Sequence, residues 1–201
     1  QYRMHSEIMA FSNQYFYQGL LKTDSSILDR PLKFGNSTLF IDTAGCGYEE
    51  TLNKETLSTF NQDEARFTIN QLNKFVISIN KPEDYSYAII APYKAQVELL
   101  RHFLSELKYP PIIFKRISIN SVDAFQGQER DIVLISLTRS NTQGIIGFLS
   151  EEKRLNVAMT RAKYKLLLIG DSATLSRHIF FDKLIQHYQF ENNYRTAFEF
   201  L

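Results

Sequence analysis

Asp131-Ile132-Val133-Leu134-Ile135-Ser136-Leu137 is an almost unbroken apolar run with polar segments on both sides. Such a run predicts a strand buried on both faces. It is the middle one of three: Tyr87-Ala88-Ile89-Ile90-Ala91 stops at Pro92, and Lys165-Leu166-Leu167-Leu168-Ile169 stops at Gly170-Asp171. Helical patterns alternate with the strands. Asn61 to Ile79 places Ala65, Ile69, Leu72, Val76 and Ile79 at spacings of three and four, with Asn61 as cap and Glu64 three residues on. Val97, Leu100, Leu104 and Leu107 repeat the pattern after the first strand, Glu151 to Ala162 reads as helix after the second, and a further helix follows the third. This alternation predicts an α/β fold with a mainly parallel sheet between two helical layers. No repeat, low-complexity tract or Pro/Gly/Ser linker divides the chain, so residues 1–201 read as a single domain.

With 44% hydrophobic residues, 16 Phe and 11 Tyr, the composition excludes disordered and collagen-like architectures. The 23 Lys+Arg against 22 Asp+Glu leave a net charge of +1, so contact with a polyanion must be local. Cys46 is the only cysteine and no Cys/His set has zinc-ligand spacing, which points to a reducing compartment. No apolar run approaches the ~18 residues that span a bilayer, and the N-terminus lacks a signal pattern. A cytoplasmic protein without a membrane partner is expected, with a nuclear location also open if the source is eukaryotic.

Ligands of open parallel sheets sit beyond the carboxyl ends of the strands. Those ends are Pro92-Tyr93-Lys94, Thr138-Arg139-Ser140-Asn141 and Gly170-Asp171. The connection before the central strand, from Ser121 through Asp123, Gln126, Gly127 and Glu129, is unusually polar for its apolar surroundings. Gly127 lets a backbone approach a phosphate, while Gln126 and Glu129 offer hydrogen bonds to a water, a ribose or a metal-bound phosphate. A plain turn capped by Asp131 is the alternative. Lys153 to Lys163 reads as helix through most of its length, and at ~100° per residue Arg154 and Arg161 share one face while Leu155, Ala158 and Ala162 pack inward. Arginine's planar fork suits phosphate, although a solvated basic face explains the same pattern. The opening Gln1-Tyr2-Arg3-Met4-His5 leads into a helical pattern through Ile8, Phe11, Tyr15 and Phe16 to Gly19. No partner for catalysis stands beside His5, which therefore reads as a cap or surface residue.

Taken in order, these segments resemble the second, C-terminal RecA-like domain of superfamily 1 helicases of the RNA-surveillance (up-frameshift) and senataxin type. The resemblance rests on Q-Y-R-M-H with F-x-N-x-x-F-Y-x-G-x-L from Phe11 to Leu21, Ser58 to Asn61 with Glu64-Ala65, Ala88 to Gln96 around A-P-Y-K, and Ser121 to Asp171. The last block contains S-V-D-A-F-Q-G-Q-E, T-R-S-N, G-F-L and R-L-N-V-A-M-T-R-A-K. The blocks cover slightly under half the chain. Ser6 stands where the family usually has proline, Lys153 where it commonly has the first of two arginines, and Lys22 to Leu57 matches only loosely, with no role assigned.

The resemblance implies a RecA-like αβα fold and makes Arg3 and Arg161 the arginine fingers that reach the γ-phosphate of ATP across an interdomain cleft. It puts Tyr2 on the adenine side, Gly127 and Glu129 toward phosphates and ribose, Gln126 between nucleotide state and strand grip, and Arg154 either at the nucleotide or paired with Asp123. It lays single-stranded DNA or RNA over Pro92, Tyr93, Lys94, Ser121 and Asp123, with Tyr93 as a stacking face or only a wedge under its loop. None of the eight glycines precedes lysine, so the chain has no G-x-x-x-x-G-K-[ST] phosphate loop, and Asp63-Glu64 opens a helix instead of ending a strand. ATP and Mg2+ are therefore expected mainly on an upstream RecA-like domain, consistent with a chain that opens at Gln1 inside a motif. Alone, the chain is expected to be monomeric, to hydrolyse no ATP and to bind strands weakly. Two rivals are a two-metal nuclease using Asp42, Asp123 and Asp171, and a non-catalytic RecA-like scaffold whose arginines pair with a partner's carboxylates.

Overall fold

The computed structural model describes residues 1–28 and 35–201. In chain order its elements are α1 (Ser6–Tyr17), α2 (Ser25–Leu28), β1 (Thr38–Asp42), β2 (Thr51–Leu52), β3 (Thr59–Phe60), α3 (Gln62–Ser78), β4 (Tyr87–Ala91), α4 (Lys94–Glu106), α5 (Pro111–Phe114) and β5 (Ile117–Ser121). Then come β6 (Arg130–Ser136), α6 (Glu152–Met159), β7 (Ala162–Gly170), α7 (Ser172–Leu175), α8 (Ile179–Phe190) and β8 (Tyr194–Thr196). One six-stranded sheet runs β5-β4-β6-β7-β1-β8. All its pairings are parallel, and β2 and β3 form a separate antiparallel pair.

The period of two along each strand divides the core. Ala88, Ile90, Val133, Ile135, Leu166 and Leu168 pack with residues of α1, α6 and α8. Tyr87, Ile89, Ile132, Leu134, Leu167 and Ile169 face the other way, against α3 and α4. The result is the three-layer α/β architecture the alternation predicts. Although β4 and β6 are neighbours, α4 after β4 covers one face and α6 after β6 the other. A topological switch point therefore opens beyond their carboxyl ends, the usual ligand crevice of such sheets.

Strand β4 has the predicted limits, β6 begins and ends one residue early, and β7 extends back to Ala162. That extension corrects the basic helix. Ala162 pairs with Arg130 in the sheet and α6 ends at Met159, so Arg161 lies in the joint between helix and strand and does not share a helical face with Arg154. Ala162 is apolar for the strand's sake. Strands β1, β5 and β8 have no counterpart in the sequence reading. Of the stretch from Lys22 to Leu57, residues 29–34 lie outside the described residues.

The start of α3 also differs from expectation. Asn61 caps it by accepting the Glu64 amide at 3.0 Å, but the Asn61 amide donates to Gln96 Oε1 at 2.8 Å and not back to Glu64. Glu64 instead turns into the core, where its Oε1 accepts from Ser136 Oγ at 2.6 Å and the Thr138 amide at 2.7 Å. Its Oε2 has no hydrogen-bond partner. Burial raises its pKa from 4.5 to about 7, against the lowering effect of the Ser136 and Thr138 hydrogen bonds. The folded chain thus keeps a proton that the unfolded chain releases above its own carboxylate pKa. This contribution to stability is full below pH ~4.5 and is lost as pH rises through ~7. Glu64→Gln retains an acceptor for both donors and should flatten the dependence. In urea unfolding between pH 4 and 8, the native chain should lose on the order of 3 kcal/mol relative to the variant. Parallel profiles would show that Glu64 holds no such proton.

Candidate functional site

Arg3, Glu129, Arg161 and Lys163 meet at the amino ends of β6 and β7. Gln1 shapes the approach, its Oε1 accepting the amides of Arg3 at 3.0 Å and Met4 at 2.8 Å. His5 then caps α1 through the Glu7 amide, the structural role expected of it. Arg3 Nε meets Glu129 Oε2 at 2.6 Å, and Lys163 Nζ meets Glu129 Oε1 at 2.6 Å. These bonds, Lys163's first and Arg3's second, hold the Glu129 carboxyl below its ordinary pKa, with burial opposing. Arg161 donates instead to carbonyls, Val157 O at 2.8 Å and Gln128 O at 3.4 Å. Burial and then the charge of Arg3 lower the Arg161 pKa, and Glu129 opposes them. Three cationic side chains around one carboxylate leave local positive charge suited to an anion.

Nearby, Tyr2 is 76% exposed and Gln126 and Gly127 are exposed. Gly127 has φ +81, which accounts for glycine, and a Cβ there would meet nothing within 4 Å. Asp131 does not cap this turn: its carboxylate accepts the Ser86 amide at 2.8 Å and Ser86 Oγ at 2.6 Å, tying β6 to the start of β4. Arg154 bonds Asp123 and, at 3.1 Å, Glu151, and not Glu129. The ion pair with Asp123, the structural reading of Arg154, is what the fold contains.

The expected strand contacts lie at the opposite, carboxyl ends. Ser121 ends β5 half-buried, Pro92 follows β4, and exposed Lys94 opens α4. Asp123 is exposed but ion-paired with Arg154. Tyr93 is only 5% exposed and offers no open stacking face. Its hydroxyl accepts from Arg139 Nη1 at 3.0 Å and the Phe148 amide at 3.2 Å, and donates to Ile146 O at 3.3 Å. Tyr93 packs beneath its loop, where these groups hold its hydroxyl inward. The nuclease carboxylates are also engaged: Asp42 accepts from Ser172 and Tyr194, and Asp171 from Ser140, Ala173 and Thr174. Among the described residues, no group of three or more His, Cys, Asp or Glu could hold a metal ion.

A family model described as an AAA domain matches residues 1–173. Mouse DNA-binding protein SMUBP-2 is 37% identical over 100% of this chain and 20% of its own length. The regulator of nonsense transcripts 1 homolog of Drosophila melanogaster is 34% identical over 94% of this chain and 16% of its own. Helicase sen1 of Schizosaccharomyces pombe is 36% identical over 87% of this chain and 10% of its own. The chain belongs to the up-frameshift and senataxin-like superfamily 1 helicase family. It matches the C-terminal helicase domain and spans about a fifth or less of these relatives. A solved C-terminal domain of a possible DNA helicase from Lactobacillus plantarum aligns with a TM-score of 0.55 over 98% of each chain, at 16% identity, which bears on the RecA-like fold alone.

Two positions in this helicase domain escaped the sequence reading. Lys163 closes the T-R-A-K motif and pairs with Glu129, so the motif itself carried the signal. Glu50 sits in the unassigned stretch. It takes Arg139 at 2.8 Å on each carboxylate oxygen, with the Ser140 amide at 2.7 Å and Asn141 Nδ2 at 3.0 Å also on Oε2. No local pattern announces it, because its partners lie some 90 residues away, as the Ser140 separation of 90 illustrates.

Proposed function

We propose that this chain is the C-terminal RecA-like half of an ATP-dependent superfamily 1 helicase or translocase acting on single-stranded DNA or RNA. The observation that carries the proposal is the convergence of Arg3, Arg161 and Lys163 around the single carboxylate of Glu129. An upstream RecA-like domain supplies the phosphate loop and most of the ATP and Mg2+ contacts. The bound metal would neutralise phosphate charge. Arg3 and Arg161 are the arginine fingers, Tyr2, Gln126, Gly127 and Glu129 border the nucleotide, and Pro92, Lys94 and Ser121 form part of the strand track. Cleft closure presents Arg161 to the γ-phosphate and moves Arg3 from Glu129 toward it, while Lys163 keeps Glu129 paired. The lone cysteine fits a reducing, cytoplasmic or nuclear setting.

The test is ATP turnover by the polypeptide in which this chain follows its upstream RecA-like domain, with and without single-stranded DNA or RNA. The isolated chain is the control. Strand-stimulated turnover in the two-domain protein and none in the isolated chain is expected. Absence of turnover in both would favour a scaffold whose arginines serve a protein partner.

A further inference from the structure

The G-F-L segment has no part in the function proposed above. Its Phe148 is 58% exposed and lies in the 3-10 turn Gly147–Ser150, over the switch point between the carboxyl ends of β4 and β6. A single exposed phenylalanine is ordinary on a protein surface. This one is held in place. Its amide donates to the Tyr93 hydroxyl at 3.2 Å, and its ring meets the buried Tyr93 ring with centroids 5.4 Å apart. Arg139 fixes the same hydroxyl and is itself clamped by Glu50. Gly147 permits the close approach: its φ is +54, and a Cβ there would lie 2.4 Å from both Arg139 Nη1 and Tyr93 Oη.

A notch beside the ring, lined by Pro92, Val122, Ile135 and Leu149 among others, measures about 20 Å³. That is little more than the room for one water, so a flat group cannot enter and must lie on the exposed part of the ring. We infer that Phe148 is the base-stacking residue of this domain, receiving a nucleobase of single-stranded nucleic acid above the β4–β6 crevice. A base has a π-face whatever its identity, so the contact tolerates any sequence, and only an unpaired strand offers that face freely. Exposed Lys94, next to Tyr93 in the chain, suits the accompanying backbone phosphate. The inference rests on the strand track of the proposed function and gives Phe148 the role that the burial of Tyr93 denies to Tyr93.

The experiment measures binding to the two-domain polypeptide of a labelled oligothymidine or oligouridine, and of an equally long abasic strand with the same phosphates. Phe148→Ala and Phe148→Leu should each weaken binding of the base-bearing strand by roughly 5- to 100-fold and leave abasic binding unchanged. Leucine preserves apolar cover over Tyr93 without an aromatic face, and Phe148→Tyr should bind as the native protein does. Thermal unfolding of each variant checks folding. Native affinity in Phe148→Leu, with turnover still stimulated by the strand, overturns the inference alone. Failure of the native protein to bind any strand overturns the strand track as well.

Discussion

Arg161→Ala in the two-domain protein is expected to lower ATP turnover by on the order of 10³- to 10⁵-fold, with ATP affinity changed only a few-fold. The guanidinium is already held by the carbonyls of Val157 and Gln128, and it breaks no ion pair when it meets a phosphate. Its orientation costs little at the moment charge develops on the transferring phosphoryl group. Arg3 must leave Glu129 first, so Arg3→Ala should reduce kcat by a smaller factor. Arg161→Lys should recover little, because an ammonium cannot hold two carbonyls and a phosphate in the fork geometry. Steady-state kcat and KM with a direct ATP-binding measurement distinguish the cases. Matching losses in kcat and affinity would reduce Arg161 to an anchor of bound nucleotide.

Glu50→Ala is expected to destabilise the chain by about 3 to 5 kcal/mol, the usual cost of removing one member of a buried ion pair. The side chains of Arg139 and Glu50 are 10% and 16% exposed, and both carboxylate oxygens are engaged. Alanine leaves the guanidinium desolvated beneath the 138–141 loop, strips the Ser140 amide of its acceptor and leaves Asn141 Nδ2 only the Ile145 carbonyl. The double variant Glu50→Ala/Arg139→Ala should regain part of the loss, since no cation then remains unpaired. Urea unfolding of the isolated chain reads both. A single-variant loss below ~1 kcal/mol would mean that the pair is solvated like a surface bridge.

The strands legible in the sequence are those buried on both faces. β4 and the centres of β6 and β7, Ile132 to Ile135 and Leu166 to Ile169, are continuous apolar runs because helices cover them above and below. β5 lies at the sheet edge and alternates Ile117 and Ile119 with Ser118 and Asn120, so it presents no such run. β8, at the other edge, is three residues long and mostly exposed, and β1 has only Leu39-Phe40-Ile41 as an apolar centre. The Arg3, Glu129 and Arg161 group was visible through motif order, but the geometry of Arg161 was not. Periodicity continues smoothly from Val157 to Ala162, and only pairing with Arg130 ends the helix. Tyr93 shows the same limit: an aromatic at a strand end is easily noticed, while burial of its hydroxyl depends on Arg139 and Ile146, far along the chain.

Strand β6 joins the two halves of this arrangement. Glu129 precedes its first residue and Arg139 follows its last by a short loop, while β4 and β7 hydrogen-bond it on both sides. A seven-residue strand is roughly 23 Å long at ~3.3 Å per residue and cannot shorten while it remains paired. Within the proposed function it would serve as a connecting rod. In the proposed motor, a displacement imposed at the arginines reaches the Phe148 crest undiminished in length, by carriage of the whole domain and not by internal flexing.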